Sequence, residues 1–262
     1  MRIQKFSCFG KDQGGGNPAL VIIDGPVEAA ARLALARERA LTCVFIDASS
    51  DPGVAATLDF IYPHTRSPLC LHATLAAAQV LFERHESNAP LTVKTAMHGQ
   101  RLSLSREGAD IFVGLAPQQA PRVDIDAALP ARLLDAPGLQ LASAPLIASV
   151  GSPKLLLEVA DADTLHGLQP DLEAIVAWGR EHGVSGCYVW CRVGEGEYEG
   201  RNFNHLEPQL EDSATGVAAG ALTVALKHGL LLRQGRATGR DCLIRTMAAG
   251  DAVLAGGRVE AC

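Results

Sequence analysis

The chain has 262 residues, 48% of them hydrophobic and 20% charged, with a formal net charge of −6. That length supports one large domain or two smaller ones with real cores, and that balance excludes wholesale disorder. An acidic chain without a basic, aromatic-interleaved run is not built for nucleic acid, and it gains nothing at an anionic membrane surface. No stretch reaches 18 uncharged apolar residues, so no membrane-spanning helix is expected. The N-terminus lacks the basic-then-apolar layout of a signal peptide. Seven scattered cysteines with no CxxC pair or zinc spacing read as reduced thiols in the cytoplasm, with no metal site.

In chain order, "GGGNP" at 14–18 is a turn, not a phosphate loop, since no GK[ST] and no helix follow it. "PALVIID" at 18–24 reads as a strand. "VEAAARLALARERA" at 27–40 is an amphipathic helix. "LTCVFIDA" and "ATLDFIYP" are strands, and residues 70–85 form a helix that is apolar nearly all round. Residues 91–117 read as a three-strand meander with turns at "HGQ" and "REGAD". The stretch 121–134 is a helical linker, and two strands flank "GSP" in 145–165. Next comes a helix over 168–183, with Pro170 near its first turn and Gly183 at its end. "SGCYVWCRV" is a strand, and "YEGRNFNHLEP" is strand and turn. Asp212 then opens a second apolar helix, and three short strands finish the chain.

The order repeats: strand, helix, strand, strand, apolar helix, strands. "HATLAAAQVL" at 72–81 is echoed by "SATGVAAGALTVAL" at 213–226. This indicates a duplicated unit, with halves at 1–118 and 119–262. Each half is expected to be α+β, a curved and mostly antiparallel sheet wrapped around its apolar helix, over residues 72–85 and 214–228. The cleft between the halves is then the natural place for chemistry.

Four N–H groups at each helix start lack intrahelical partners, and the macrodipole adds positive charge there. Such ends suit a carboxylate or an enolate-like anion. The polar groups at the two mouths are Cys70, His72, Asp212, Ser213 and Thr215. Small residues such as Gly216 admit a ligand to the backbone. This set suits moving protons at a carbon beside a carboxylate, with no cofactor. The plainer alternatives are that Asp212 or Ser213 is an N-cap, that Cys70 is packing, and that His72 is a solvent-side cap. His64, Arg66 and His205 precede the mouths and read as solvated turn residues or substrate contacts. Trp178 and Trp190 read as core.

"GNP" at 16–18, "SPLCLHATLAAAQVL" and "EDSATGVAAGAL" together resemble the phenazine-biosynthesis isomerase family, the PhzF-like proteins of the diaminopimelate epimerase superfamily. The resemblance covers nearly the whole chain. It implies two similar halves, each a curved sheet around a central helix, in a homodimer without metal or organic cofactor. It also implies a proton shift of the kind that isomerises a dihydro-hydroxyanthranilate. The family histidine falls on His72 and its aspartate on Asp212. The family glutamate's place is taken by Thr42, with Cys43 next to it. Leu71 stands where the family has glycine before its histidine, and Val217 where it has serine after ATG.

A threonine hydroxyl is not a base for a carbon acid at neutral pH without strong activation. Cys70 is therefore the first candidate base. It aligns with a catalytic thiol of the superfamily's epimerases, and a helix N-terminus can depress a thiol pKa. Cys43 is the second candidate base. Thr215 falls where the epimerases keep their second thiol, the pattern of the hydroxyproline-dehydratase branch. The expected substrate is a small carboxylate-bearing metabolite contacted by Asn17, Thr42, Leu71, Ser213, Thr215, Gly216 and Val217. The competing readings are a single-base lyase and a small-molecule-binding protein without catalysis.

Overall fold

A computed structural model describes residues 1–12, 14–85, 89–204 and 211–262. His205 lies outside the described residues. The chain divides into two compact units, Met1–Leu115 with Leu254–Cys262, and Ala116–Val253.

The first unit is built from β1 (Arg2–Cys8), β2 (Asn17–Ile23), β3 (Cys43–Asp47), β4 (Ala56–Ile61), β6 (Leu91–Thr95), β7 (Arg101–Glu107), β8 (Asp110–Leu115) and the C-terminal β15 (Ala252–Ala261), with a short β5 (Arg66–Ser67) beside β4. The strands follow one another in the order β1-β2-β3-β4-β6-β7-β8-β15, and β15 pairs back onto β1 with Phe6 opposite Ala261. The sheet is thus closed, which removes its edges. Inside runs α2 (Leu71–His85), which touches β1, β2, β3, β4 and β8, and every residue from Leu71 to Ala78 is buried. Its composition explains this place: a helix apolar on all sides has no face to give to water. Outside lies α1 (Ala29–Arg39), whose Leu35 and Ala36 pack on Leu20, Ile22, Cys43, Phe45 and Ile61.

The second unit has β9 (Leu146–Ala148), β10 (Lys154–Glu158), β11 (Cys187–Gly194), β12 (Glu197–Phe203), β13 (Leu231–Gln234) and β14 (Cys242–Ala249) in that spatial order. Its helices are α3 (Leu129–Leu133), α4 (Ala162–Gly167), α5 (Leu172–His182) and α6 (Gly216–Leu226). α6 contacts β9 and β10 at one side of the sheet and β14 at the other, so the sheet curves around it. The opposite face is covered by α3, α4 and α5 through Leu129, Leu133, Leu165, Ile175 and Trp178, against Leu155, Leu157, Cys187 and Val189.

The internal repeat is visible in the pairing. From β1 the first unit runs antiparallel, parallel, antiparallel, parallel, antiparallel. From β9 the second unit runs the same way. Each first parallel step carries the outer helices and each second one the central helix, because a parallel step needs a crossover.

Several expected boundaries shift. The central helices are Leu71–His85 and Gly216–Leu226. Asp212 therefore does not open α6; Thr215 is the N-cap and Lys227, in the left-handed region, ends the helix. Of the expected linker helix only Leu129–Leu133 is helical. Pro170 falls outside α5, whose N-cap Asp171 accepts a hydrogen bond from Ala174 N, while Gly183 ends it at φ 67° as expected. The last strands are not all short, since β14 has 8 residues and β15 has 10. The second unit begins at Ala116, and residues from Leu254 return to the first unit.

Candidate active site

In the first unit the residue before α2 is Cys70, 3% exposed, and His72 follows in the first turn, 6% exposed. Cys70 Sγ lies 3.4 Å from His72 Nδ1 and 3.8 Å from Nε2. Two buried groups that exchange protons readily therefore touch at a helix N-terminus. The Cys70 carbonyl accepts from both Thr74 N (2.9 Å) and Thr74 Oγ1 (2.7 Å), which fixes the turn that carries the thiol. Helix geometry leaves the N–H groups of Leu71, His72 and Ala73 without intrahelical acceptors. An anion at this end meets those dipoles first.

Cys43 is placed differently. It is fully buried in the apolar layer beneath α1, and its Sγ approaches Leu41 O at 3.6 Å. Burial pushes its thiol up to about 11, against a smaller opposing pull from Arg39. A thiol so placed stays protonated near neutrality, and strand alternation turns it to the α1 side of β3. Thr42, 9% exposed, precedes β3, and its carbonyl accepts from Leu20 N. Asn17 opens β2 opposite Cys8. The turn before it needs Gly16, which sits at φ +91°, where a Cβ would lie 2.4 Å from Ser7 Oγ. Arg66 donates to Asp59 Oδ1 at 2.7 Å, so its guanidinium serves the fold; Asp59 Oδ2 takes Arg32 Nη1 at 2.8 Å, and Arg32 also pairs with Asp47.

In the second unit the mouth of α6 is a connected polar group. Thr215 Oγ1 donates to Asp212 Oδ2 at 2.6 Å. Gln234 Nε2 donates to Asp212 O (2.6 Å) and to Thr215 Oγ1 (3.1 Å). Gln234 Oε1 accepts from Tyr188 Oη (3.1 Å) and Thr215 N (3.3 Å). The Asp212 carboxylate is thus held by a hydroxyl that is itself fixed by a buried amide. Burial raises the Tyr188 pKa well above its usual value, reinforced by Asp212 and Glu211, so it remains a phenol donor. Arg201 grips Glu211 through Nη2–Oε2 at 2.8 Å and Nε–Oε1 at 3.1 Å, with the ion pair 9% and 13% exposed. Its Nη1 donates to Leu165 O and Leu168 O. This anchors the segment that presents Asp212. Ser213 Oγ is 2.8 Å from Thr238 Oγ1. Gly216 is buried and Val217 half-buried in the first turn.

Within each unit, then, the expected groups come together: Cys70, Leu71 and His72 at one mouth, and Asp212, Thr215, Gly216 and Val217 at the other. Gln234, Tyr188 and the Arg201–Glu211 pair were not expected. Gln234 had a sequence signal, since alternation in "LLRQ" puts it on the same face as the fully buried Leu232. Among the described residues no cluster of His, Cys, Asp and Glu could hold a metal ion. No described helix is long and apolar enough to cross a membrane. A surface groove lined by Pro121, Arg122, Val123, Asp124, Pro145 and Leu146 contains none of the candidate residues.

Known proteins support one assignment. An uncharacterized isomerase of Deinococcus radiodurans is 30% identical over 251 residues, covering 91% of this chain and 80% of its own. The uncharacterized isomerase YddE of Escherichia coli strain K12 is 28% identical over 209 residues, 71% of this chain and 69% of its own. A predicted epimerase from Pseudomonas aeruginosa superposes with a TM-score of 0.81 at 24% identity, covering 100% and 96% of the two chains. A hydroxyproline epimerase from Agrobacterium vitis, solved with bound trans-4-hydroxy-L-proline, gives 0.63 at 12% identity, covering 99% and 90%. These solved structures carry the fold, which is of the diaminopimelate epimerase-like type that the resemblance implied. The profile of the family described as phenazine biosynthesis-like protein matches residues 6–258, and the chain belongs to that family.

Proposed function

We propose that the chain is a cofactor-independent isomerase or epimerase that moves a proton at carbon in a small carboxylate-bearing metabolite. The observation that carries this reading is the buried contact between Cys70 Sγ and His72 Nδ1 at the start of α2. His72 takes the thiol proton, leaving a thiolate beside an imidazolium. The thiolate removes a proton from the carbon next to the carboxylate. Charge moves onto the carboxylate as an enolate, and first-turn N–H groups stabilise it. The proton then returns at another carbon, which is isomerisation, or on the opposite face of the same carbon, which is epimerisation. Asp212, held by Thr215, orients the substrate or relays that second proton. Thr42, Asn17, Leu71, Ser213, Gly216 and Val217 are assigned to substrate contact. The reading takes both helix mouths to serve one substrate, and it takes the protein to work as a homodimer in the cytoplasm.

The test is solvent exchange. Small carboxylic acids incubated with the protein in deuterium oxide are followed by proton NMR. Loss of signal at the carbon beside the carboxylate is expected, and Cys70→Ala should abolish it. A dehydrated product would identify a lyase instead. Carboxylate binding without exchange would identify a binding protein, and exchange at an unchanged rate in Cys70→Ala would remove the thiol base. Light scattering tests the dimer, expected at twice 27.5 kDa.

A further inference from the structure

Asn202, on β12, has no exposed surface, and neither its Nδ2 nor its Oδ1 has a hydrogen-bond partner among the described residues. A buried amide left unpaired is destabilising, and such groups are rare enough to need a reason. Its position supplies one. Asn202 stands opposite Tyr188 in the β11–β12 register and bridges to Asp212, whose N–H donates to Asn202 O at 3.4 Å. It shares a face of β12 with Gly200, two residues earlier. A Cβ on Gly200 would lie 2.3 Å from Tyr188 Oη, so the Tyr188 ring covers that same face. The Tyr188 hydroxyl leads through Gln234 to Thr215 and Asp212. The unpaired amide therefore lies on the face that carries the mouth of α6.

A second polar group stands on that face. Lys154 is fully buried on β10 in the same alternation as Leu156, which is opposite Tyr188. Its Nζ donates to Ser185 O, among the described residues a single acceptor for three N–H groups. No carboxylate lies within salt-bridge distance of it among the described residues, although the charge of Asp212 reaches it and supports its protonated form. A leucine and a methionine would fill these two positions without desolvating anything.

We propose that Asn202 and Lys154 form, with the first turn of α6, a subsite for a carboxylate that carries a neighbouring hydrogen-bond donor, such as a hydroxyl or an ammonium group. Nδ2, Lys154 and the helix N–H groups meet the carboxylate, and Oδ1 accepts from the donor. The subsite rests on the isomerase reading only for the identity of its ligand as substrate.

Malate and succinate separate the parts, since they are diacids that differ by one hydroxyl. Calorimetric titration of the wild-type protein should show malate binding more tightly. Asn202→Leu should weaken malate about tenfold or more and bring it level with succinate bound to the same variant, because malate loses the bonds to both Nδ2 and Oδ1 and succinate only the first. Lys154→Met should weaken both ligands. Asn202→Leu should also melt no lower than wild type, because it removes an unpaired buried amide; Asn202→Ala repeats the titration if leucine does not fit. Affinities in Asn202→Leu or Asn202→Ala within twofold of wild type overturn the subsite, as does a wild-type protein that binds neither acid. Asn202-dependent malate binding by a protein that exchanges no carbon-bound proton overturns the isomerase reading and leaves the subsite standing.

Discussion

Cys70 and Cys43 are both buried thiols, yet their surroundings assign them different work. Cys70 touches an imidazole at a helix end, while Cys43 lies among Leu20, Ile22, Leu35 and Phe45 with its thiol pushed up to about 11. In the native protein at pH 8, a maleimide should label Cys43 only on unfolding, and Cys43→Ala should retain solvent exchange, as read by mass spectrometry and NMR. Gln234→Leu should slow exchange by about 10- to 100-fold with the fold intact, because it frees Thr215 and the backbone of Asp212 together. Lys154 gives a pH signature. Burial is the largest influence on it and lowers its pKa from 10.5 to about 8, against the charge of Asp212. In that window the unfolded chain binds the proton and the folded chain releases it, so this group adds stability as pH rises from about 8 to 10.5. Relative to Lys154→Met, wild type should gain about 3 kcal/mol over that window. Chemical denaturation of both proteins across it measures the difference, in which the buried cysteines largely cancel.

At the scale of elements, the α1 layer hangs on one buried carboxylate. Asp59, 3% exposed on β4, receives Arg32 from α1 and Arg66 from β5. Asp59→Ala leaves buried Arg32 with Asp47 as its one carboxylate among the described residues and should cost about 3–5 kcal/mol in urea denaturation. Arg66, 41% exposed, should cost about 1 kcal/mol or less when replaced by alanine. Gly186 is a second fixed point. At φ +99°, a Cβ there would lie 2.0 Å from Phe203 O, so Gly186→Ala should force β11 and β12 apart and lower the melting temperature sharply. These elements were unequally legible in the sequence. The all-apolar texture of "HATLAAAQVL" and "GVAAGAL" marked both central helices, because only enclosure tolerates a helix with no polar face. The mouth of α6 was harder to place, since Asp212 reads as a cap by residue type, while the cap position belongs to Thr215, whose hydroxyl serves Asp212. α4 was missed because its cap, Asp161 accepting from Thr164 N, opens only 6 residues of helix, too few for a periodic pattern. Lys154 and Asn202 were invisible for different reasons: Lys154 opens the leucine-rich strand "KLLLE", where a terminal lysine reads as solvated, and Asn202 stands in "EYEGRNF", whose many polar residues do not show which one is enclosed.

For the molecule as a whole, the repeat was legible from element order, and the pairing pattern shows why. Both units alternate antiparallel and parallel steps, and the parallel steps force helices into the same places. What element order does not carry is the return of the chain's end. Residues 254–262 belong to the first unit, where β15 completes the ring by pairing with β1 and β8. Removing them should reopen a β1 edge along Phe6–Cys8 and make the protein prone to association, as static light scattering would show. The same return orders synthesis. On the ribosome the strands from β1 to β8 emerge first, yet their ring waits until the entire second unit has been translated. The second unit can reach a settled state while its predecessor is still a half-open sheet around α2. Birth order and completion order are thereby reversed, and the nascent chain carries an unsealed cradle until β15 leaves the tunnel.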